Sequence, residues 1–225
     1  MYQLNFELPH REALDHSNFF VSPSNANAVT HIKRFSEENG KSCVLTGPAG
    51  AGKTHLVHMW AGRTNGQILK ARDLRTDDVP RLARSSIAVE DVPEISRDQP
   101  VLAALFHLFN QLQASGHNLL LTGRGTTFHW NLSLPDLQSR INAAQSISLG
   151  PPDDALLAAI LAKLFLDRQL APKPDVIPFL LTRMERSYEA AQKIVAKVDA
   201  AALSQQRTVT RSFVRQFFPS TNTEE

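Results

Sequence analysis

Eight consecutive residues constrain this chain more than any other stretch: Gly47, Pro48, Ala49, Gly50, Ala51, Gly52, Lys53 and Thr54. They satisfy G-x-x-x-x-G-K-[ST] at every fixed position. The glycines let the backbone turn tightly, so successive N–H groups converge on phosphate oxygens. Lys53 adds a mobile positive charge for the outer phosphates, and Thr54 offers a hydroxyl to Mg²⁺. Such a loop works between a strand and a helix, because the helix that follows lends its positive end to the anion. The flanks agree: 42–45 is an apolar run that reads as a buried strand, and 53–62 reads as a helix.

The rest of the chain extends this alternation. A helix is expected over 24–38, strands over 67–70 and 87–89, and a strong helix over 100–114, where Leu102, Leu105, Phe106, Phe109 and Leu112 fall at helical spacing. An apolar strand follows at 118–122, a short helix at 135–141 and a last strand at 146–149. Gly150, Pro151 and Pro152 then break the chain. Beyond them only helices are expected, over 153–170, 175–184, 187–203 and from Thr208 or Thr210 to 217. Alternation means a parallel sheet with helices on its faces. The expected fold is therefore an α/β nucleotide-binding domain over 24–150, followed by a small all-helical domain over 151–218. An arm (1–23) precedes them and a short tail (219–225) follows.

Composition narrows the function. Lys plus Arg is 24 and Asp plus Glu 22, a balance that argues against binding nucleic acid through a broad basic surface. The one cysteine, Cys43, lies in an apolar run and reads as a small core residue. The N-terminus lacks the basic and apolar regions of a secretory signal, and the most apolar helical segment is broken by Lys163, so a soluble cytoplasmic protein with no membrane contact is expected.

Several residues outside the loop carry candidate chemistry. Phosphate-binding loops work with an acid at the end of a neighbouring strand, which holds Mg²⁺ and orients the attacking water. Glu90 and Asp91 follow the apolar run from Ile87, and their place downstream of such a loop favours this over a plain surface turn. Thr122 ends the next strand, where it is either near a terminal phosphate or a simple strand cap. Arg140, near a helix end, is by itself an ordinary solvated charge. Gln3, Leu4, Phe6 and Leu8 give the arm an alternating apolar pattern, which fits either a strand folded back on the core or an exposed peptide ligand for a partner's pocket. The eight histidines show no metal-ligand spacing, and Trp60 and Trp130 read as core or interface residues.

Taken together these motifs resemble the AAA+ family, and within it the bacterial replication initiator DnaA and its relatives. The loop followed by His55 and Leu56 is similar to that family's P-loop. The run from Asn18 to Asn25, with Val21 and Asn25, resembles its adenine-side segment, and the run from Leu134 to Ile141 resembles its arginine-finger box, with Arg140 as the finger. The helical end from Pro151 resembles the AAA+ lid. The resemblance spans nearly the whole chain and is strongest to the Hda type of regulator: no DNA-binding domain follows the lid, and the arm residues Gln3, Leu4, Phe6 and Leu8 are similar to a sliding-clamp docking motif.

The resemblance implies a function. A nucleotide-bound protein, ADP being the expected form, would dock on the DNA-loaded sliding clamp. There it would promote hydrolysis of ATP bound to DnaA, lending Arg140 in trans while Asp91 keeps the catalytic-acid position. DNA would be met only indirectly, the protein would sit on the nucleoid through the clamp, and self-association is compatible with the family. Two departures stand out. The family's Mg²⁺-side acid is usually Asp and here is Glu90. The lid's sensor arginine falls on Glu189, with Arg186 one turn earlier as a substitute, so little or no ATP turnover by the protein alone is expected. The rival expectation is a helicase-loader-like ATPase acting on single-stranded DNA, which would need a basic, aromatic groove that the sequence lacks. A stand-alone ATPase with another protein client is a third.

Overall fold

A computed structural model describes residues 20–218. The peptide-like stretch at 3–8 and the tail at 219–225 lie outside the described residues. Among the described residues five parallel strands form one sheet: β1 (Ser42–Thr46), β2 (Gln67–Lys70), β3 (Ile87–Glu90), β4 (Leu119–Gly123) and β5 (Gln145–Ser148), in the order β2-β3-β4-β1-β5. β1 pairs with β4 so that Leu45 faces Thr122 and Thr46 faces Gly123, and β3 pairs with β4 through Val89 and Leu121. Every residue of β3 and β4 is buried. Strands apolar on both faces require helices on both faces.

Side-chain alternation sorts the two layers. Cys43, Leu45, Ala88 and Leu120 point to one face, covered by α1 (Ala26–Phe35) and α2 (Lys53–Thr64). Val44, Val89, Leu119 and Leu121 point to the other. That face is covered by α3 (Val79–Leu82), α4 (Gln99–Ser115) and α5 (Pro135–Ala143). Burial pushes the Cys43 thiol up to about 12, which leaves it protonated and inert, as a core position demands.

Where the structure differs from the expected elements, the reason is local. The first helix begins at Ala26 because the Asn25 side chain closes the preceding turn, its Oδ1 accepting the Ser22 N–H at 2.9 Å. The stretch between β2 and β3 carries two 3-10 turns (Ala71–Asp73 and Thr76–Asp78) and the one-turn α3. Its buried residues Ala71, Leu74, Val79 and Leu82 have neither a 3.6 nor a 2.0 period, so no element was legible there.

Past the break at 150–152 come α6 (Asp154–Asp167), α7 (Val176–Leu181), α8 (Tyr188–Gln205) and α9 (Arg211–Arg215). They close on their own core, with Leu161, Phe165, Leu180, Val195, Val198 and Phe213 almost wholly buried. Side-chain caps fix three starts: Asp153 accepts from Leu156 N–H, Ser187 from Ala190 N–H, and Thr210 from Phe213 N–H. Thr210, not Thr208, thus opens the last helix. None of the described helices is long and apolar enough to cross a membrane.

Candidate functional site

In a parallel sheet all strand C-termini lie along one edge, and ligands bind there, where the strand order reverses. β1, β3 and β4 deliver the P-loop, Glu90–Asp91 and Thr122 to that edge. The loop's backbone depends on its glycines. Gly52 opens α2 from the left-handed region, at φ 96°. Gly50, at φ +67°, lies so close to the lid that an added Cβ would come within 2.6 Å of the Ser187 Cβ.

Lys53 is buried at 9% exposure and donates from Nζ to the Gly47 carbonyl at 2.9 Å and the Pro48 carbonyl at 2.8 Å. Burial lowers its pKa most, the nearby positive charge of Arg124 adds to the effect, and Asp91 and Glu90 pull the other way. A desolvated cation in this position is strongly favoured to acquire an anion.

Thr54 donates from Oγ1 to Glu90 Oε1 at 2.7 Å, joining positions 36 apart in sequence. A hydroxyl and a carboxylate at this separation are hard oxygen donors of the kind Mg²⁺ takes, together with phosphate oxygens and waters. The residues fit the ion, which would screen phosphate charge. Among the described residues no group of three His, Cys, Asp or Glu side chains converges as a metal cage, so phosphate would supply much of the coordination.

Asp91 sits in the left-handed region at φ 59° and ψ 41°, which Asp tolerates better than most residues. Its N–H donates to Thr122 Oγ1 at 3.2 Å. Thr122 is 1% exposed, so it ties the end of β4 to the turn that presents Asp91. The next residue but one, Arg124, is exposed, and its carbonyl accepts the Trp130 indole N–H at 3.0 Å. The sequence pattern alone does not single out Arg124. One signal was available: it follows a buried strand ending in Thr and Gly, beside the strand that feeds the P-loop.

The lid reaches the loop through Tyr188, which the sequence pattern does not flag. Tyr188 N–H donates to the Gly50 carbonyl at 3.0 Å, and the Tyr188 ring meets His55 edge-on at 5.6 Å. Glu189 is exposed and pairs with Lys193 at 2.5 Å; that hydrogen bond lowers its pKa most, with a smaller pull from Arg124. Arg186 pairs with Asp154 Oδ1 at 2.7 Å, which ties the start of α8 to the start of α6.

On the segment ahead of α1, Val21 and Phe20 are about half exposed, whereas Asn25 is buried. Asn25 donates to the Phe20 carbonyl at 3.0 Å while accepting from Ser22 N–H. Both ends of its amide are thus engaged within the turn, where Asn25 holds Phe20 and Val21 in place. Asp153 bridges this turn to the lid: Oδ2 accepts Ser24 N–H at 3.1 Å while Oδ1 caps α6 at 2.8 Å. The Leu156 N–H is the main reason its carboxyl is held below the ordinary carboxylate range.

Arg140 stands apart from these groups. It is exposed on α5, with its guanidinium over the Phe106 ring at 5.1 Å and the Phe109 ring at 5.6 Å, both on α4. α4 and α5 cover the sheet face opposite to α2, the helix that begins at the P-loop.

Residues 154–218 match the family model described as Hda, lid domain. The fold is similar to that of domain III of the replication initiation protein DnaA from Thermotoga maritima, with a TM-score of 0.80 and 18% identity over 93% of this chain and 97% of that one. It is also similar to AMPPCP-bound DnaA from Aquifex aeolicus, with a TM-score of 0.69 and 18% identity over 86% of this chain and 67% of that one. A RuvB variant from Thermotoga maritima gives a TM-score of 0.66 at 15% identity, over 88% of this chain and 68% of that one. The chain thus has the fold of DnaA domain III, and its residues 154–218 match the Hda lid model.

Proposed function

We propose that this protein is a nucleotide-holding regulator of replication initiation that acts on the ATP of the initiator DnaA. The observation that carries the reading is the lid: residues 154–218 match the Hda lid model, on a core folded like DnaA domain III. The P-loop geometry supports an adenine nucleotide as the resident ligand, as does the AMPPCP in a structural neighbour. Gly47, Pro48, Ala49, Gly50, Ala51 and Gly52 would wrap the phosphates, Lys53 would balance their charge, and Thr54 with Glu90 would hold Mg²⁺. Val21 and its turn would lie on the adenine side. With Glu189 at the position of the family's lid sensor arginine, a third phosphate would lack that cation, which would favour ADP.

Under this reading Arg140 serves a neighbour's site. Its exposure, on helices that cover the face away from α2, suits a guanidinium lent across a subunit seam. There it would stabilise charge developing on the transferring phosphoryl group, a contribution of ~10³–10⁵ in rate in well-studied GTPases. The stretch with Gln3, Leu4, Phe6 and Leu8 would hold the protein on the DNA-loaded clamp. The test is turnover of DnaA-bound ATP in the presence of clamp-loaded DNA. Arg140→Ala should bind ADP and clamp as the parent does and fail to stimulate turnover. Arg140→Lys should fail nearly as badly, since a point charge lacks the planar fork. Full stimulation by Arg140→Ala would overturn the reading, and loss of ADP binding would place Arg140 in the protein's own site.

A further inference from the structure

The lid carries a second basic site, far in sequence from the P-loop and unused by the function proposed above. A cleft of about 570 Å³ lies between α7 and α9. Its lining includes Phe179, Arg183, Arg211, Arg215, Thr210 and Ser212. Asp175 is the one acid among the lining residues. Arginines outnumber carboxylates among the lining residues, in a chain whose overall charge is nearly balanced.

The arginines are held in place. The guanidinium of Arg183 lies 5.4 Å from the Phe179 centroid and that of Arg211 5.3 Å from the same ring. Phe179 is itself fixed, being 7% exposed and packed edge-on against Phe218 at 5.8 Å. At Arg211 the stacking engages the face of the guanidinium and leaves its N–H edge for other partners. Among the described residues neither Arg211 nor Arg215 forms an ion pair, and both are exposed. Thr210 Oγ1 shares a hydrogen bond with Ser212 Oγ at 3.0 Å, which adds hydroxyls to the same wall. Planar forks with adjacent hydroxyls are the groups that bind phosphate oxygens.

The basic surface continues past the cleft. Arg207 stacks on Phe213 of α9 at 5.1 Å, and exposed Lys173 is joined to the strip before α9 by its N–H on the Val209 carbonyl at 2.9 Å. A single small anion needs two or three such groups. Arg211 and Arg215 in the cleft, with Arg207 and Lys173 beside it, suit a polyanion with regularly repeated charges, and guanidinium forks can take successive phosphate oxygens along a backbone.

We propose that the α7–α9 face of the lid binds the phosphate backbone of duplex DNA directly. This goes beyond the regulator reading, in which DNA is met only through the clamp, and it does not rest on that reading. Binding here is independent of base sequence and dependent on salt.

The test is fluorescence anisotropy of a labelled 20-base-pair duplex with the full chain, at several salt concentrations, with neither clamp nor DnaA present. The parent should bind in the ~10⁻⁴–10⁻⁶ M range of sequence-independent contacts. Arg211→Ala with Arg215→Ala should weaken binding about tenfold or more at low salt and flatten the plot of log K against log salt by about 0.9 for each phosphate no longer neutralised. Arg211→Lys with Arg215→Lys should keep most of the salt slope. A fluorescent-ADP titration should be the same for all three proteins, which shows that each is folded. The proposal is overturned if the parent does not bind the duplex at low salt, or if the alanine variant binds as the parent does. It is also overturned if a polyglutamate peptide of equal charge displaces the duplex as effectively as unlabelled DNA, since the face would then serve an acidic protein. None of these outcomes touches the DnaA assay, so the two readings fail separately.

Discussion

Lys53 and the lid arginines show two ways of presenting positive charge. Lys53 is buried, held by two loop carbonyls, and destabilised as a cation by its surroundings. Arg183 and Arg211 are exposed and rest on an aromatic ring. Burial makes the lysine dependent on an anion of fixed position and sets a single, tight site. Exposure keeps the arginines hydrated, so each bond they make is weak and screened by salt, and useful only in number. The α/β core therefore suits one small ligand held firmly, and the lid face suits a long one held loosely. The lid also touches the core through Tyr188 on Gly50 and His55 and through Asp153 on Ser24.

The largest effect should come from the buried cation. Lys53→Ala removes the charge that balances the phosphates, and a hydrogen bond to a charged group is worth roughly 1.5–3 kcal/mol. ADP affinity, measured by equilibrium titration with a fluorescent analogue, should fall about tenfold to a hundredfold. An unchanged affinity in a folded variant would remove the P-loop assignment and the contrast with the lid.

A smaller effect should follow at the junction of core and lid. Gly50→Ala places a Cβ against Ser187 in backbone that costs an L-residue about 1–2 kcal/mol. The lid must shift away from the loop. Melting temperature should drop by several degrees and ADP should dissociate faster in stopped flow. If ADP dissociates at the parent's rate, lid docking and nucleotide retention are independent.

The smallest concerns Asp153. Asp153→Ala removes the cap of α6 together with the link to Ser24, and loss of a cap costs about 0.5–2 kcal/mol. The sign of its pH dependence follows from the lowered folded pKa. The carboxylate stabilises the fold above its unfolded value, ~3.9, and that stability is lost as pH falls through the folded value. The gap in denaturation midpoint between parent and variant should be constant from pH 6 to 8 and close below about pH 4. A gap that persists into strong acid would mean that the carboxylate's charge is irrelevant and that the variant suffers from poorer packing alone.

The legibility of the molecule divides along the same line. The P-loop was readable because its demands are local: a turn needing glycine, a cation and a hydroxyl within eight residues. The three central strands were readable because burial on both faces leaves continuous apolar runs, whereas β2 and β5 are more exposed. The stretch from Ala71 to Leu82 was not, since its buried residues follow no period.

What the sequence by itself determined is the chemistry carried on short spans of backbone: phosphate-binding loop, paired acids after a strand, a parallel α/β core and a helical end past Pro152. What only the tertiary structure decided is which distant residues meet. Thr54 finds Glu90, Asp91 N–H finds Thr122, Tyr188 finds Gly50, and Arg183 and Arg211 share Phe179. These meetings depend on strand register and on how helices pack around separate cores. Both are set by the summed burial of many side chains, so no spacing along the chain encodes them.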